Sequence, residues 1–285
     1  MDGSAKPLAG SIRVTIGFPN LSALDLDAYL RRVQYSGSLQ PSYQVFAGLH
    51  LAHATHIPFE NLDILLGRSV RLDLEALQAK IVGQRRGGYC FEQNMLFAAV
   101  LERLGFSFTP LAGRVRYRAR TVLPRTHMLL LVRCGGETWI ADVGFGLEGF
   151  LSPLPFGSEQ EIHQHGRIYR IVSEHGTWTL QKREAELWND LYTFLLEPQL
   201  LVDYEMANYY TSTNPDSVFV RTLIVQLSTL EARKLLRNRE LTVDDGRSVT
   251  TRTIDGDEAL LEVLAAEFAL RFPGGTRFSL HDAVA

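Results

Sequence analysis

At Phe106 the apolar periodicity of this chain changes from about four residues to two. No other feature constrains its architecture as much. A period near 3.6 draws one apolar stripe along a helix, whereas a period of two sends alternate residues to one face of a strand. A chain that is helical first and strand-rich afterwards is expected to fold as α+β, with helices segregated from sheet.

Before the change, four helices are predicted. Ser22 and Asp25 form an S-x-x-D start for a helix running through Leu30. Pro41 opens a second that carries Tyr43, Phe46, His50 and His53 at helical spacing and stops at Pro58. Asp73 caps a third, which buries Leu74, Leu77 and Ile81 and ends at Gly87-Gly88. The fourth runs from about Cys90 to Leu104 and ends at Gly105. After the change, β-rich runs at 106–118, 127–133, 138–145, 168–173, 177–182 and 191–196, separated by Gly- and Pro-containing turns, suggest a small barrel. Leu200 to Tyr210 reads as a linking helix, 218–227 and 249–254 as strands, and 257–270, started by Asp257, as a closing helix.

With 285 residues, two or three subdomains sharing one core are expected rather than one compact unit. A formal net charge of -3 gives no broad attraction to nucleic acid or anionic membrane, so neither is expected as a partner. Two cysteines, Cys90 and Cys134, are too few for a disulfide framework and fit a reducing compartment. The amino terminus lacks a charged start followed by an apolar run, and no stretch reaches the length of a membrane span. The expected location is therefore cytoplasmic. The first 20 residues or so, with Gly3, Pro7, Gly10, Gly17 and Pro19, read as a loose arm.

Cys90 follows Arg85-Arg86-Gly87-Gly88-Tyr89 and opens an apolar-periodic helix. The free N–H groups and the dipole of a helix start favour an anion there, and the thiolate is the nucleophilic form of cysteine. Cys90, Asn94, Phe97 and Leu101 share the inward face of that helix, so the thiol is expected to point toward the other subdomains. A small buried hydrophobe at a helix start is the competing reading of Cys90 alone.

The hairpin HMLLLVRC, Gly135-Gly136, ETWIADVGFG adds two further groups. A two-residue turn at Gly135-Gly136 sets the register, and it puts His127 opposite Gly144 and Asp142 opposite Leu129. His127 and Asp142 are then diagonal neighbours on one face, roughly 7 Å apart at Cα. Nucleophile, base and a carboxylate that orients the base form the set for covalent acyl transfer.

RRGGYCFEQN at 85–94, IPFENLDILL at 57–66, RTHMLLLV at 125–132 and WIADVGFG at 139–146 resemble the signature blocks of the arylamine N-acetyltransferase family of bacterial type, in the same order and at similar spacing. The resemblance runs from about residue 24 to the carboxyl end and is strongest over 46–146. It implies an α+β fold with an N-terminal helical domain, a central β-barrel and a C-terminal α/β lid. It also implies a Cys-His-Asp triad similar to that of papain-like and transglutaminase-like enzymes. The corresponding divisions are an arm at 1–22, a helical domain at 23–108, the barrel at 109–198, a linking helix at 199–214 and the lid at 215–285. By the same resemblance Cys90, His127 and Asp142 are the triad, acetyl-coenzyme A is the acyl donor, and an aromatic amine or hydrazine is the acceptor. Phe59 and Phe145 would then wall the acceptor site, with core aromatics as the competing reading, and Thr126 and Gly146 would lie near the coenzyme. A homodimer is left open.

Arg114, Arg116, Arg118 and Arg120 alternate along GRVRYRAR and are expected to form one basic stripe on a strand, either a solvated face or a partner for coenzyme A phosphates. His50, His53 and His56 recur every three residues, but without a Cys or carboxylate beside them no metal is expected, nor at His163 and His165. Cys134, beside the turn, is expected to be a bystander. The same triad would also suit a hydrolase, a transglutaminase or an amide synthase with a larger acyl donor, and a silent coenzyme-binding module is the alternative outside catalysis.

Overall fold

The structure is a computed structural model that describes residues 23–279. The expected arm at 1–22, and Ser22 of the first helix start, lie outside the described residues. Helix α1 (Leu26–Val33) begins where the Asp25 carboxylate accepts the Ala28 N–H at 2.8 Å. Helix α2 (Tyr43–His56) is capped by Ser42, whose hydroxyl accepts from Val45 N at 3.3 Å, so Pro41 precedes the helix and does not open it. Ile57 is extended, as a residue before proline must be, and this ends α2.

A two-residue strand β1 (Phe59–Glu60) and a short helix α3 (Leu62–Leu65) follow, neither of which was expected. Helix α4 (Leu74–Leu77) has Asp73 as its cap, accepting from Ala76 N at 3.0 Å, and widens into a π-helix over Gln78–Gly83. It therefore ends before Gly87-Gly88. At Gly87 a Cβ would meet the Pro58 carbonyl oxygen at 1.9 Å, so only glycine lets this backbone pass.

Helix α5 (Cys90–Arg103) is buried from Cys90 to Leu101 on every side, not along the inward stripe alone. A helix buried all round belongs to the core, and truncating one of its large apolar side chains, such as Phe97, would cost about 3–5 kcal/mol.

The larger sheet is antiparallel, eight-stranded and nearly closed into a barrel. Its strands are β2 (Ser107–Val115), β3 (His127–Cys134), β4 (Glu137–Ala141), β5 (Leu154–Pro155), β6 (Ile162–Gln164), β7 (Arg167–Glu174), β8 (Thr177–Glu184) and β9 (Leu187–Pro198), in the order β5-β4-β3-β2-β9-β8-β7-β6. Cys134 pairs with Glu137 and Leu130 with Ala141, the register a two-residue turn at Gly135-Gly136 demands. The ladder stops at Ala141, so His127 does not face Gly144. It pairs instead with Gly113 on β2, and Asp142 lies just past the end of β4.

The expected arginine stripe does not form. Strand β2 ends at Val115, the N–H groups of Arg116 and Tyr117 both donate to the Leu191 carbonyl, and the chain turns at Arg118 with φ 53°. Only Arg114 of the four lies on a strand.

Helix α6 (Leu201–Thr213) leads to a second sheet. Within 218–227 the first half is a helix, α7 (Val218–Arg221), and the strand β10 (Ile224–Ser228) begins only after it. The Asn61 side chain holds this junction, donating to the carbonyls of Phe219 (2.6 Å) and Thr222 (2.7 Å) and accepting from Ile224 N (2.8 Å). Strands β11 (Arg233–Arg237) and β12 (Glu240–Asp244) were not anticipated, and β13 (Val249–Thr253) completes the order β1-β10-β11-β12-β13. Helix α8 (Asp257–Phe268) covers this sheet through Leu260, Leu264 and Phe268. No described helix is long and apolar enough to cross a membrane.

Candidate active site

Cys90 is the first residue of α5, 4% exposed, with its thiol directed to the Thr126 carbonyl at 3.5 Å. The loop after Asp142 lies directly on this first turn. A Cβ at Gly144 would stand 2.7 Å from Cys90 Cα and 2.8 Å from Asn94 Nδ2, so the approach requires glycine.

His127 opens β3 and is buried, and its Nε2 is 2.6 Å from Asp142 Oδ2. Burial by itself would lower the pKa of the ring. The charge and hydrogen bond of Asp142, joined by a hydrogen bond with Cys90, outweigh burial and raise it to about 10. Those interactions favour the charged ring, in which Nε2–H donates to Asp142 and Nδ1–H is left to face Cys90. Asp142 shows the complementary shift. Burial pushes its carboxyl up, but His127 and the donors around it hold it below the usual carboxylate range.

Those donors are specific. Asp142 Oδ1 accepts from Asn94 Nδ2 at 2.9 Å and from Gly144 N at 3.0 Å. The Asn94 amide also donates to the Met128 carbonyl (2.7 Å) and accepts from Val143 N (3.0 Å), linking α5 to β3 and to the loop after β4. Tyr192 on β9 packs its ring 4.8 Å from His127, and Phe145 meets the same ring edge-on at 5.1 Å.

Phe145 and Phe59 both line a narrow cleft that reaches Asp142 and includes Gly146, Gln226 and Ser228. Gly146 lies against Gln226, whose side-chain oxygen accepts from Leu147 N at 2.8 Å and ties this wall to β10. Thr126 presents its carbonyl to Cys90. The structure thus brings Cys90, His127, Asp142 and Thr126 together, and gathers Phe59, Phe145 and Gly146 in the adjoining cleft. Cys134 stands at the other end of β3, with its thiol pKa raised by partial burial.

A buried ion cluster supports α5 from behind. Lys80 reaches Glu92 at 2.7 Å and Asp63 at 2.8 Å, while Arg86 bonds Glu60 and Asp63. Glu92 also accepts from Tyr89 N at 3.0 Å, which closes the helix start beside Cys90.

The three histidines of α2 do not converge. His53 Nδ1 pairs with the Tyr29 hydroxyl at 2.9 Å, His56 turns back to the Ala52 carbonyl, and His50 reaches the Asp142 backbone. His163 pairs with Glu161 and His165 meets Ser152. Among the described residues no group of three or more His, Cys, Asp or Glu side chains is arranged to hold a metal ion. No sequence motif points to a site role for Asn94, His50, Gln226 or Tyr192. The available signal for the first two was a polar side chain on an otherwise apolar helix face.

The signature of the N-acetyltransferase family matches residues 42–276. An arylamine N-acetyltransferase of Escherichia coli K12 is 39% identical over 249 residues, spanning 86% of this chain and 88% of its own. An arylamine N-acetyltransferase / N-hydroxyarylamine O-acetyltransferase of Salmonella typhimurium has the same identity and coverage. Among solved structures, arylamine N-acetyltransferase of Mycobacterium marinum in complex with CoA superposes with a TM-score of 0.82 at 33% identity, covering 86% of this chain and 93% of its own.

Proposed function

This chain belongs to the arylamine N-acetyltransferase family and is an acyltransferase, and from that premise we propose that it moves acetyl from acetyl-coenzyme A to the nitrogen of arylamines or arylhydrazines through an acetyl-Cys90 thioester. The observation that carries this reading is the buried His127–Asp142 pair, 2.6 Å apart, joined to a thiol at the first turn of α5. A cation beside a thiol favours the thiolate.

In the first half-reaction the Cys90 thiolate attacks the carbonyl carbon of the donor thioester. The carbon–sulfur bond to coenzyme A breaks, and His127 gives its proton to the departing thiolate. Exchange of one thioester for another is nearly balanced, so the acetyl-enzyme is poised for the next step. In the second half-reaction the arylamine nitrogen, largely unprotonated at neutral pH, attacks the same carbonyl while the now neutral His127 takes its proton. Cys90 leaves as thiolate, the imidazolium is restored, and the amide is released. The N–H groups at the very start of α5, before its internal hydrogen bonds begin at Gln93, supply donors for the oxyanion.

Asp142 holds the ring in orientation and stabilises its charge in both halves. Phe59 and Phe145 wall the acceptor, and Thr126 and Gly146 border the coenzyme. In this reading the helical part (23–108) carries the nucleophile, the barrel (109–198) carries base and carboxylate, and the part after the linking helix (199–214) covers the cleft as a lid (215–285). Two free cysteines fit a reducing, cytoplasmic setting. Incubation with acetyl-coenzyme A and aniline, following free thiol release, tests the activity. Release that depends on the acceptor supports transfer, and release unaffected by it points to hydrolysis.

A further inference from the structure

His50 is fully buried on α2, where it meets the two chain segments that flank the cleft. Its Nε2 is 3.2 Å from the backbone N of Asp142, and its Nδ1 is 3.0 Å from the carbonyl oxygen of Leu151. A backbone N–H can only donate and a carbonyl can only accept, so the two partners fix the tautomer: Nδ1 carries the proton and Nε2 carries the lone pair. The ring is stacked on Phe150 with centroids 5.4 Å apart and planes 9° apart, and it meets Phe97 edge-on at 5.8 Å. Burial lowers its pKa to about 4, so it is neutral wherever acetyl transfer would run. The ionisable groups acting around it are Asp142 across the contact and His53 one turn along α2.

The clamp matters because of what hangs from the residue it holds. Asp142 lies beyond the last ladder pair of β4, so sheet hydrogen bonding no longer fixes its backbone. Its side chain must nevertheless stay 2.6 Å from His127. Leu151 and Phe150 line the same cleft, so one imidazole ties Asp142 and part of the cleft wall to the same helix.

We propose that His50 is a positioning residue for the triad: it accepts the Asp142 N–H and donates to the Leu151 carbonyl, and so sets the orientation of Asp142 and, through it, of His127. This inference rests on the triad reading above and deepens it. It assigns to a histidine outside the reacting groups a role read in the state of Cys90.

Three substitutions separate the parts. In His50→Gln the amide reaches the Nε2 position and can still accept from Asp142 N. In His50→Asn the amide reaches the Nδ1 position and can bond only Leu151. In His50→Phe the ring stays and both bonds are lost. Two readouts are needed, steady-state turnover with acetyl-coenzyme A and aniline, and the pH profile of Cys90 alkylation by iodoacetamide, with Asp142→Asn as the control.

His50→Phe should lose roughly ten- to hundredfold in turnover, the consequence of an orphaned buried donor. Its alkylation profile should shift to higher pH, in the direction of Asp142→Asn, and His50→Gln should restore most of both. If Asp142→Asn shifts the profile while folded His50→Phe and His50→Asn keep the wild-type profile and turnover, the positioning role is overturned and the triad stands. If His50→Gln is as impaired as His50→Asn, the bond to Asp142 is not the agent and the inference fails. If Asp142→Asn itself leaves the profile unmoved, the triad reading fails first. Should His50→Phe not fold, the Gln and Asn pair carries the same decision.

Discussion

Replacing Asp142 by asparagine keeps the shape of the side chain and removes its charge. The amide would turn an N–H toward His127, favouring the wrong tautomer, so activity should fall by roughly 10²- to 10⁴-fold with the fold retained by circular dichroism. Alkylation of Cys90 at neutral pH should slow together with turnover, and a folded variant with wild-type rates would reduce Asp142 to a structural carboxylate. Cys90→Ala should abolish transfer while Cys134→Ser leaves it nearly unchanged, because Cys134 stands at the far end of β3 with its thiol pKa raised. Equal losses from the two would sink the assignment. That Cys90, His127 and Asp142 come together was legible from the helix start at Cys90 and the Gly135-Gly136 hairpin, although the pairing of His127 with Gly144 was not, because the ladder ends at Ala141. His50 and Asn94 were not. Their partners lie 92 and 48 residues away in sequence, and only packing brings them within reach.

Lys80 stands between three carboxylates at the back of α5, those of Glu60, Asp63 and Glu92. Burial would lower its pKa, but those neighbours raise it above the ordinary lysine value. Lys80→Met should therefore destabilise the protein by about 3–5 kcal/mol, since it leaves buried carboxylates uncompensated. Urea melts would measure this, and an unchanged midpoint would show that the cluster rearranges without cost. Elements whose signals are local were readable from sequence, as with the Gly135-Gly136 hairpin and its register or the Asp73 cap, whereas Asp25 is itself the cap of α1 and not the fourth residue of a start at Ser22. Those set by distant partners were not. Val218–Arg221 has strand-like composition yet is helical, held by the Asn61 amide from more than 150 residues earlier. The same holds for β1, which becomes a strand only because β10 lies beside it.

For the whole molecule, the buried groups of the site set opposing limits on stability against pH. His50 has a folded pKa of about 4 against an ordinary 6.5, so the unfolded chain binds the extra proton between them, and stability is lost as pH falls from about 6.5 toward 4. Asp142, held below the usual range, adds to this loss at still lower pH. His127 works in the other direction. Its folded pKa is raised to about 10, so its contribution is complete below about 6.5 and disappears as pH rises through 10. The thermal midpoint should therefore peak near pH 6.5, and Asp142→Asn should flatten the alkaline side. An alkaline limb unchanged in that variant would contradict the ion-pair account. Turnover should follow the site rather than the fold, and the claim on which all of this rests is that acetyl resides on Cys90 between donor and acceptor. Intact-mass spectrometry after brief exposure to acetyl-coenzyme A alone tests it directly. The account predicts a gain of one acetyl group, located on the peptide containing Cys90 and lost on adding aniline, whereas turnover without any such adduct would mean direct transfer in a ternary complex.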